Sequence, residues 1–187
     1  MHSAVIACHD KTIKVLKDGD LHYIAKFDAP VMVISNSGKL SSRQCPIVAY
    51  GLRNGSIGLL ELTRNEAVTL WSLESSQTNG SPVCAIKASI INPTPAEDEP
   101  LTSEVVVARD DGSIEVCSYE ENSVVPVLRF ETKLEGESIT SIDIGAISVP
   151  KGEIIVSCYS GKVFCFTPKE AMKSSEPKVS GVAKKEK

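Results

Sequence analysis

The chain has 187 residues, of which 42% are hydrophobic, 24% charged and only 5% aromatic, and its formal net charge is −4. That composition fits one soluble globular domain whose core must be filled by Val, Ile, Leu, Ala and Cys. No apolar run approaches the ~18 residues that cross a membrane and no secretory signal is legible, while a mildly acidic body lacks the clustered cations that make nucleic acid a partner.

In chain order the periodicity is that of β-strands. An apolar run, a tight turn and a second alternating run recur four times. The copies are Val5 to Val15, Ile47 to Leu59, Val105 to Val116 and Ile154 to Cys165. In three of them the turn carries Asn54-Gly55, Asp111-Gly112 or Ser160-Gly161. Gly there accepts the positive φ that hairpin turns demand. The first copy has Lys11 in place of Gly, so its turn is expected to differ. The four positions lie 44, 57 and 49 residues apart, which leaves room for two flanking strands per copy. That is the spacing of β-propeller blades.

The expected first blade holds strands at 4–8, 12–17 and 21–27, and the second at 31–35, 46–51, 56–62 and 67–73. The third holds 83–90, 104–109, 112–119 and 125–130, and the last 138–144, 153–158 and 162–167. Two blades are complete, the first lacks its inner strand and the last its outer one. Val105 to Ala108 and Ile154 to Val156 are continuous apolar runs, as expected of strands buried on both faces. The fold class is therefore all-β, a partial propeller of about three and a half blades over 1–168. Residues 169–187 carry a net charge of +3, are rich in Lys, Ser and Glu, and are expected to be disordered. An open propeller leaves bare sheet faces and strand edges, so the chain is expected to be a piece of a longer protein or to be completed by another.

Few residues suggest chemistry. His9-Asp10 could form a base with its orienting carboxylate, but no nucleophile accompanies it, and a turn is the simpler account. Arg109-Asp110-Asp111-Gly112 has too few spaced carboxylates for a calcium loop. Gly51 and Gly55 are four apart without the Lys-Ser/Thr of a phosphate loop. The six cysteines, at 8, 45, 84, 117, 158 and 165, include no C-x-x-C pair and mostly sit in or beside apolar strands. They are expected to pack as free thiols in a reducing compartment. No catalytic residue, cofactor or metal is therefore expected. Trp71, on an outer strand, and Arg129-Phe130, within Val127 to Phe130, are the interface candidates, with core packing as the simpler role for each.

Several phrases, in order, carry a resemblance. They are Ala7 to Leu16, Val107 to Gly112, Pro126 to Phe130, Glu137 to Ile142 and Glu153 to Val163. Over residues 4–167 the chain resembles the later half of the N-terminal propeller of the seventh Bardet–Biedl syndrome protein family. The resemblance implies a non-catalytic scaffold of the BBSome, a coat-like complex that moves membrane proteins into and out of cilia. It implies other BBSome subunits as partners, above all the second Bardet–Biedl protein. It also implies a place in the cytoplasm, at the basal body and at the ciliary membrane, with membrane association only through the complex. The chain departs from the family at both ends, lacking the early blades and the heptads of a following coiled coil. The alternative is a propeller that binds peptides or adaptors outside cilia.

Overall fold

The computed structural model describes residues 3–38, 45–75, 78, 80–90, 102–120, 125–145 and 153–167. Among them are fourteen strands in four antiparallel sheets, each strand paired with its neighbour in sequence. Blade 1 comprises β1 (Ser3–Cys8), β2 (Thr12–Lys17) and β3 (Asp20–Lys26). Blade 2 comprises β4 (Val31–Gly38), β5 (Ile47–Leu52), β6 (Ile57–Leu62) and β7 (Ala67–Leu73). Blade 3 comprises β8 (Val83–Ile90), β9 (Thr102–Arg109), β10 (Ser113–Glu120) and β11 (Val127–Lys133). Blade 4 comprises β12 (Ile139–Gly145), β13 (Glu153–Cys158) and β14 (Val163–Phe166). This is the partial propeller that the repeats anticipate.

Burial follows position in the stack. Alternate residues of a strand face opposite neighbours. Ile47 and Ala49 of β5 enter the seam between blades 2 and 3, whereas Val48, Tyr50 and Leu52 enter the seam between blades 1 and 2. Every residue of β5 is consequently buried. Blade 3 repeats the arrangement, with Val105 and Val107 facing blade 2 and Val106 and Ala108 facing blade 4. The corresponding run in blade 4 does not. Val156 is buried against blade 3, but Ile154 and Ile155 are only partly covered. Both faces of that run were expected to be closed. One is open because no further blade stacks on blade 4 among the described residues.

Some strand limits also shift. β4 runs on through Asn36 and Gly38, expected as loop, because they pair with Val48 and Ile47 across a bulge. β11 starts after Pro126, which cannot donate to the ladder, and continues to Lys133 opposite Ser113. Residues 169–187 lie outside the described residues, so the expectation of disorder there is left as it stands.

The repeated turns share one geometry. Gly55, Gly112 and Gly161 donate to the carbonyls three residues earlier, those of Leu52, Arg109 and Cys158. Their φ values are 90°, 87° and 83°, while Asn54, Asp111 and Ser160 do not have positive φ. This is a turn followed by a left-handed glycine, not the two-residue turn in which both central residues are left-handed. Lys11 takes the same conformation, with φ of 67°. The first turn thus reaches the left-handed backbone at this position without a glycine. The Lys11 carbonyl accepts from Phe27 N at 2.9 Å, as the Gly112 carbonyl accepts from Leu134 N at 3.0 Å. The tie to the end of the outer strand holds the backbone where Lys would not go by preference.

Candidate functional site

The side chain of Arg109, at the end of β9, is completely buried. Its Nε and Nη2 donate to the two carboxylate oxygens of Glu115 at 2.8 and 2.9 Å. Its Nη1 donates to the backbone carbonyls of Gly55 at 2.9 Å and Ser81 at 2.8 Å. The planar guanidinium suits this combination of a forked carboxylate pair and two carbonyls. Arg109 precedes Gly112 by three residues, as Leu52 precedes Gly55 and Cys158 precedes Gly161. Both counterparts are buried and apolar. Blade 3 therefore places an ion pair where its neighbours place hydrophobic packing, and uses it to hold the blade 2 turn. Sequence reasoning treated Arg109 only as part of a turn.

The three turn pairs act through their side chains as well. Asn54 accepts from Ser56 N at 3.1 Å and donates to Asp28 at 3.0 Å. Asp111 accepts from Ser113 N at 3.1 Å, Ser113 Oγ at 3.0 Å and Lys133 Nζ at 3.1 Å. Ser160 donates to Glu137, whose other oxygen accepts from Lys162, each at 2.5 Å. The Lys162 and Ser160 hydrogen bonds hold the Glu137 carboxyl below its ordinary value. Each turn is thereby tied to the chain entering its own blade or to the end of that blade's outer strand. With Lys133 and Ser113 on Asp111, the Asp110-Asp111 stretch is a braced turn.

The outer strands carry a second repeat. In each of β3, β7 and β11 one residue falls out of register: His22, Leu70 and Arg129. The residue after the bulge is aromatic each time and reaches toward the following blade. Tyr23 Oη donates to the Thr63 carbonyl at 3.2 Å. Trp71 packs on Tyr119 with ring centroids 6.1 Å apart, and Phe130 meets Phe166 edge-on at the same distance. Trp71 is only 3% exposed, so it is packing in the seam between blades 2 and 3, not a surface anchor. Phe130 occupies the equivalent position but is 40% exposed, because blade 4 has no outer strand among the described residues. Arg129 is exposed at its bulge beside Phe130, and Val125, Val127 and Leu128, just before it in the chain, are exposed too.

Other motifs do not assemble into a reactive centre. Asp10 accepts from Thr12 at 2.5 Å and from Lys14 at 2.9 Å, so its carboxylate serves the turn, and His9 is exposed. Among the described residues no group of three or more His, Cys, Asp or Glu is placed to hold a metal ion. The six cysteines are free. Burial pushes the Cys84 and Cys117 thiols up to about 11, which disfavours the nucleophilic thiolate.

Comparison with known proteins follows the same layout. The mouse protein "BBSome complex member BBS7" is 29% identical over 174 residues, covering 92% of this chain and 23% of its own length. Its Caenorhabditis elegans counterpart, "BBSome complex member bbs-7", is 22% identical over 182 residues, covering 97% of this chain and 23% of its own. The chain thus spans about a quarter of the curated relatives it matches. Among solved structures, BBS1N in complex with ARL6DN superposes with a TM-score of 0.58 over 89% of this chain and 47% of its own, at 17% identity. Saccharomyces cerevisiae Sqt1 superposes at 0.64 over 89% of this chain and 42% of its own, also at 17% identity. These two likenesses concern the fold, a part of a propeller laid on a larger one. The BBS7 beta-propeller family model matches residues 1–168, all four blades from first strand to last, and the chain belongs to that family.

Proposed function

We propose that the chain is a non-catalytic propeller segment of a BBSome scaffold subunit, supporting ciliary membrane-protein trafficking through protein–protein contacts. The observation that carries this reading is the family match across every blade, residues 1–168. The name of the mouse relative, "BBSome complex member BBS7", supplies the complex. The partners in this reading are other BBSome subunits, above all the second Bardet–Biedl protein, and membranes are met only through the assembled complex at the basal body and cilium. The exposed stretch of Val127, Leu128, Arg129 and Phe130 on β11 is the contact surface it favours, since aromatic rings and Arg are enriched at interfaces. No cofactor, metal or nucleic acid takes part.

The test is co-purification of the tagged chain from ciliated cells. Recovery of BBSome subunits, weakened by Arg129→Glu with Leu128→Asp, is the expected outcome. A clean preparation without them, while a longer relative recovers them in parallel, rejects the assignment and leaves a propeller module acting outside cilia.

A further inference from the structure

Among the described residues, the seam between blades 1 and 2 is not closed along its whole length. A cleft of about 630 Å³ opens between β1–β3 on one wall and β4–β6 on the other. Its floor includes Val15, Ile34, Val48 and Leu62. At the outer end, Nε2 of His22 meets the Arg64 carbonyl at 2.6 Å, and Tyr23 bonds the Thr63 carbonyl, so the β6–β7 turn is pinned against β3. The equivalent place in the next seam is filled, because Trp71 lies buried on Tyr119 there. Among the described residues no aromatic ring of blade 2 stacks on Tyr23 as Tyr119 does on Trp71, and the gap stays open.

The polar lining is one-sided. Its charged members are Lys17 and Arg64, beside the neutral Asn36 and Thr63, and among the described residues no carboxylate lines it, in a chain whose net charge is −4. Glu61, next to Leu62, pairs with Ile47 and so points to the opposite face of the blade. Asp18 and Asp20 are near Lys17 in the chain but do not line the cleft. An apolar floor with a cationic rim complements an occupant that alternates apolar and acidic groups. The shape narrows the choice. A slot crossing three strands at ~4.8 Å spacing is roughly 10–15 Å long, which matches three or four residues of an extended peptide at ~3.3 Å each.

We propose that the slot between blades 1 and 2 docks a short, extended, acidic–apolar peptide segment of a partner protein, seating its apolar side chains on Val15, Ile34, Val48 and Leu62 and its carboxylates on Lys17 and Arg64. The site depends on blades 1 and 2 alone, so it stands or falls separately from membership of any complex. The test uses the full chain and a fluorescently labelled peptide of about six residues alternating leucine and aspartate, an extended length that overfills the slot. Saturable binding is expected. It should weaken by about tenfold or more in the Lys17→Glu, Arg64→Glu double variant, and it should weaken with added salt. Both substitutions are at the rim, and an unchanged melting curve will show that the fold is intact. Ile34→Trp, which fills the slot without changing charge, should abolish binding independently. Three results would overturn the proposal: no saturable binding, equal binding of a leucine–lysine peptide, or binding untouched by both variants. Binding to phosphatidylserine vesicles without binding to the peptide would also overturn it, in favour of a lipid surface.

Discussion

Nη1 of Arg109 donates to the backbone carbonyl of Gly55 at 2.9 Å, across the seam between blades 2 and 3 and 54 residues away in sequence. The same guanidinium grips Glu115 within its own blade. One side chain therefore couples a turn of one blade to the central strands of the next.

Loss of one member of that pair should be costly. Arg109→Met strands the Glu115 carboxylate in a buried site, and a destabilisation of about 3–5 kcal/mol is expected. Arg109→Met with Glu115→Leu removes both charges and should recover most of the loss, although the carbonyls of Gly55 and Ser81 lose their hydrogen bonds from Nη1. Urea denaturation of the two variants and the parent decides this. Equal losses in the single and double variants would show that the ion pair is not the relevant interaction.

The turns make a graded series. A Cβ on Gly112 would lie 2.4 Å from the Leu134 carbonyl oxygen and 2.7 Å from that of Glu137, whereas one on Gly161 meets nothing within 4 Å. Gly161→Ala should therefore cost only the left-handed strain, about 1–2 kcal/mol. Gly112→Ala should cost clearly more, because two backbone segments must also move. Lys11→Gly relieves strain already present and should stabilise by about 1 kcal/mol. Melting curves rank the three, and a reversed order for Gly112 and Gly161 would contradict the packing of the blade 3 turn.

The outer-strand aromatics should separate by seam. Trp71→Ala removes a fully buried ring from between two complete blades and should cost about 3–5 kcal/mol. Phe130→Ala, at the equivalent position where blade 4 has no outer strand among the described residues, should cost well under half of that. Chemical denaturation measures both. Similar losses would mean that Phe130 is covered in solution by something beyond the described strands.

Acid should loosen the last turn. Glu137 is held below its ordinary value of 4.5 by its hydrogen bonds from Lys162 and Ser160. A carboxyl whose folded-state value is depressed adds stability that is fully present above the unfolded value and is lost as pH falls through the depressed one. Melting temperature should therefore fall below about pH 4.5, and less steeply in Glu137→Gln. Parallel acid limbs in the two proteins would remove Glu137 from the account.

Much of the blade plan is legible in the chain because its cues are short-range. Asn54-Gly55, Asp111-Gly112 and Ser160-Gly161 mark turns through glycine's access to positive φ, and alternation on either side marks the strands. Lys11 escapes this logic because its hydrogen bond comes from Phe27 N, just past a later strand. The outer-strand aromatics escape it for another reason. Tyr23, Trp71 and Phe130 follow their turns by 12, 16 and 18 residues, so no fixed spacing flags them until the bulges are seen. Arg109 had one usable signal: it fills a slot that holds Leu52 and Cys158 in the neighbouring copies. A charge at an apolar position, with Glu115 six residues on, is the pattern of a buried pair.

Residue order alone thus settles the local units, four strand–turn–strand modules and the faces each must hide, since backbone preference and alternation act over a few residues. Only the stacked blades decide which of those faces are hidden. Burial is a property of two sheets in contact, so Trp71 is enclosed while Phe130 is half bare, Arg109 finds carbonyls in another blade, and the seam beside Tyr23 stays open.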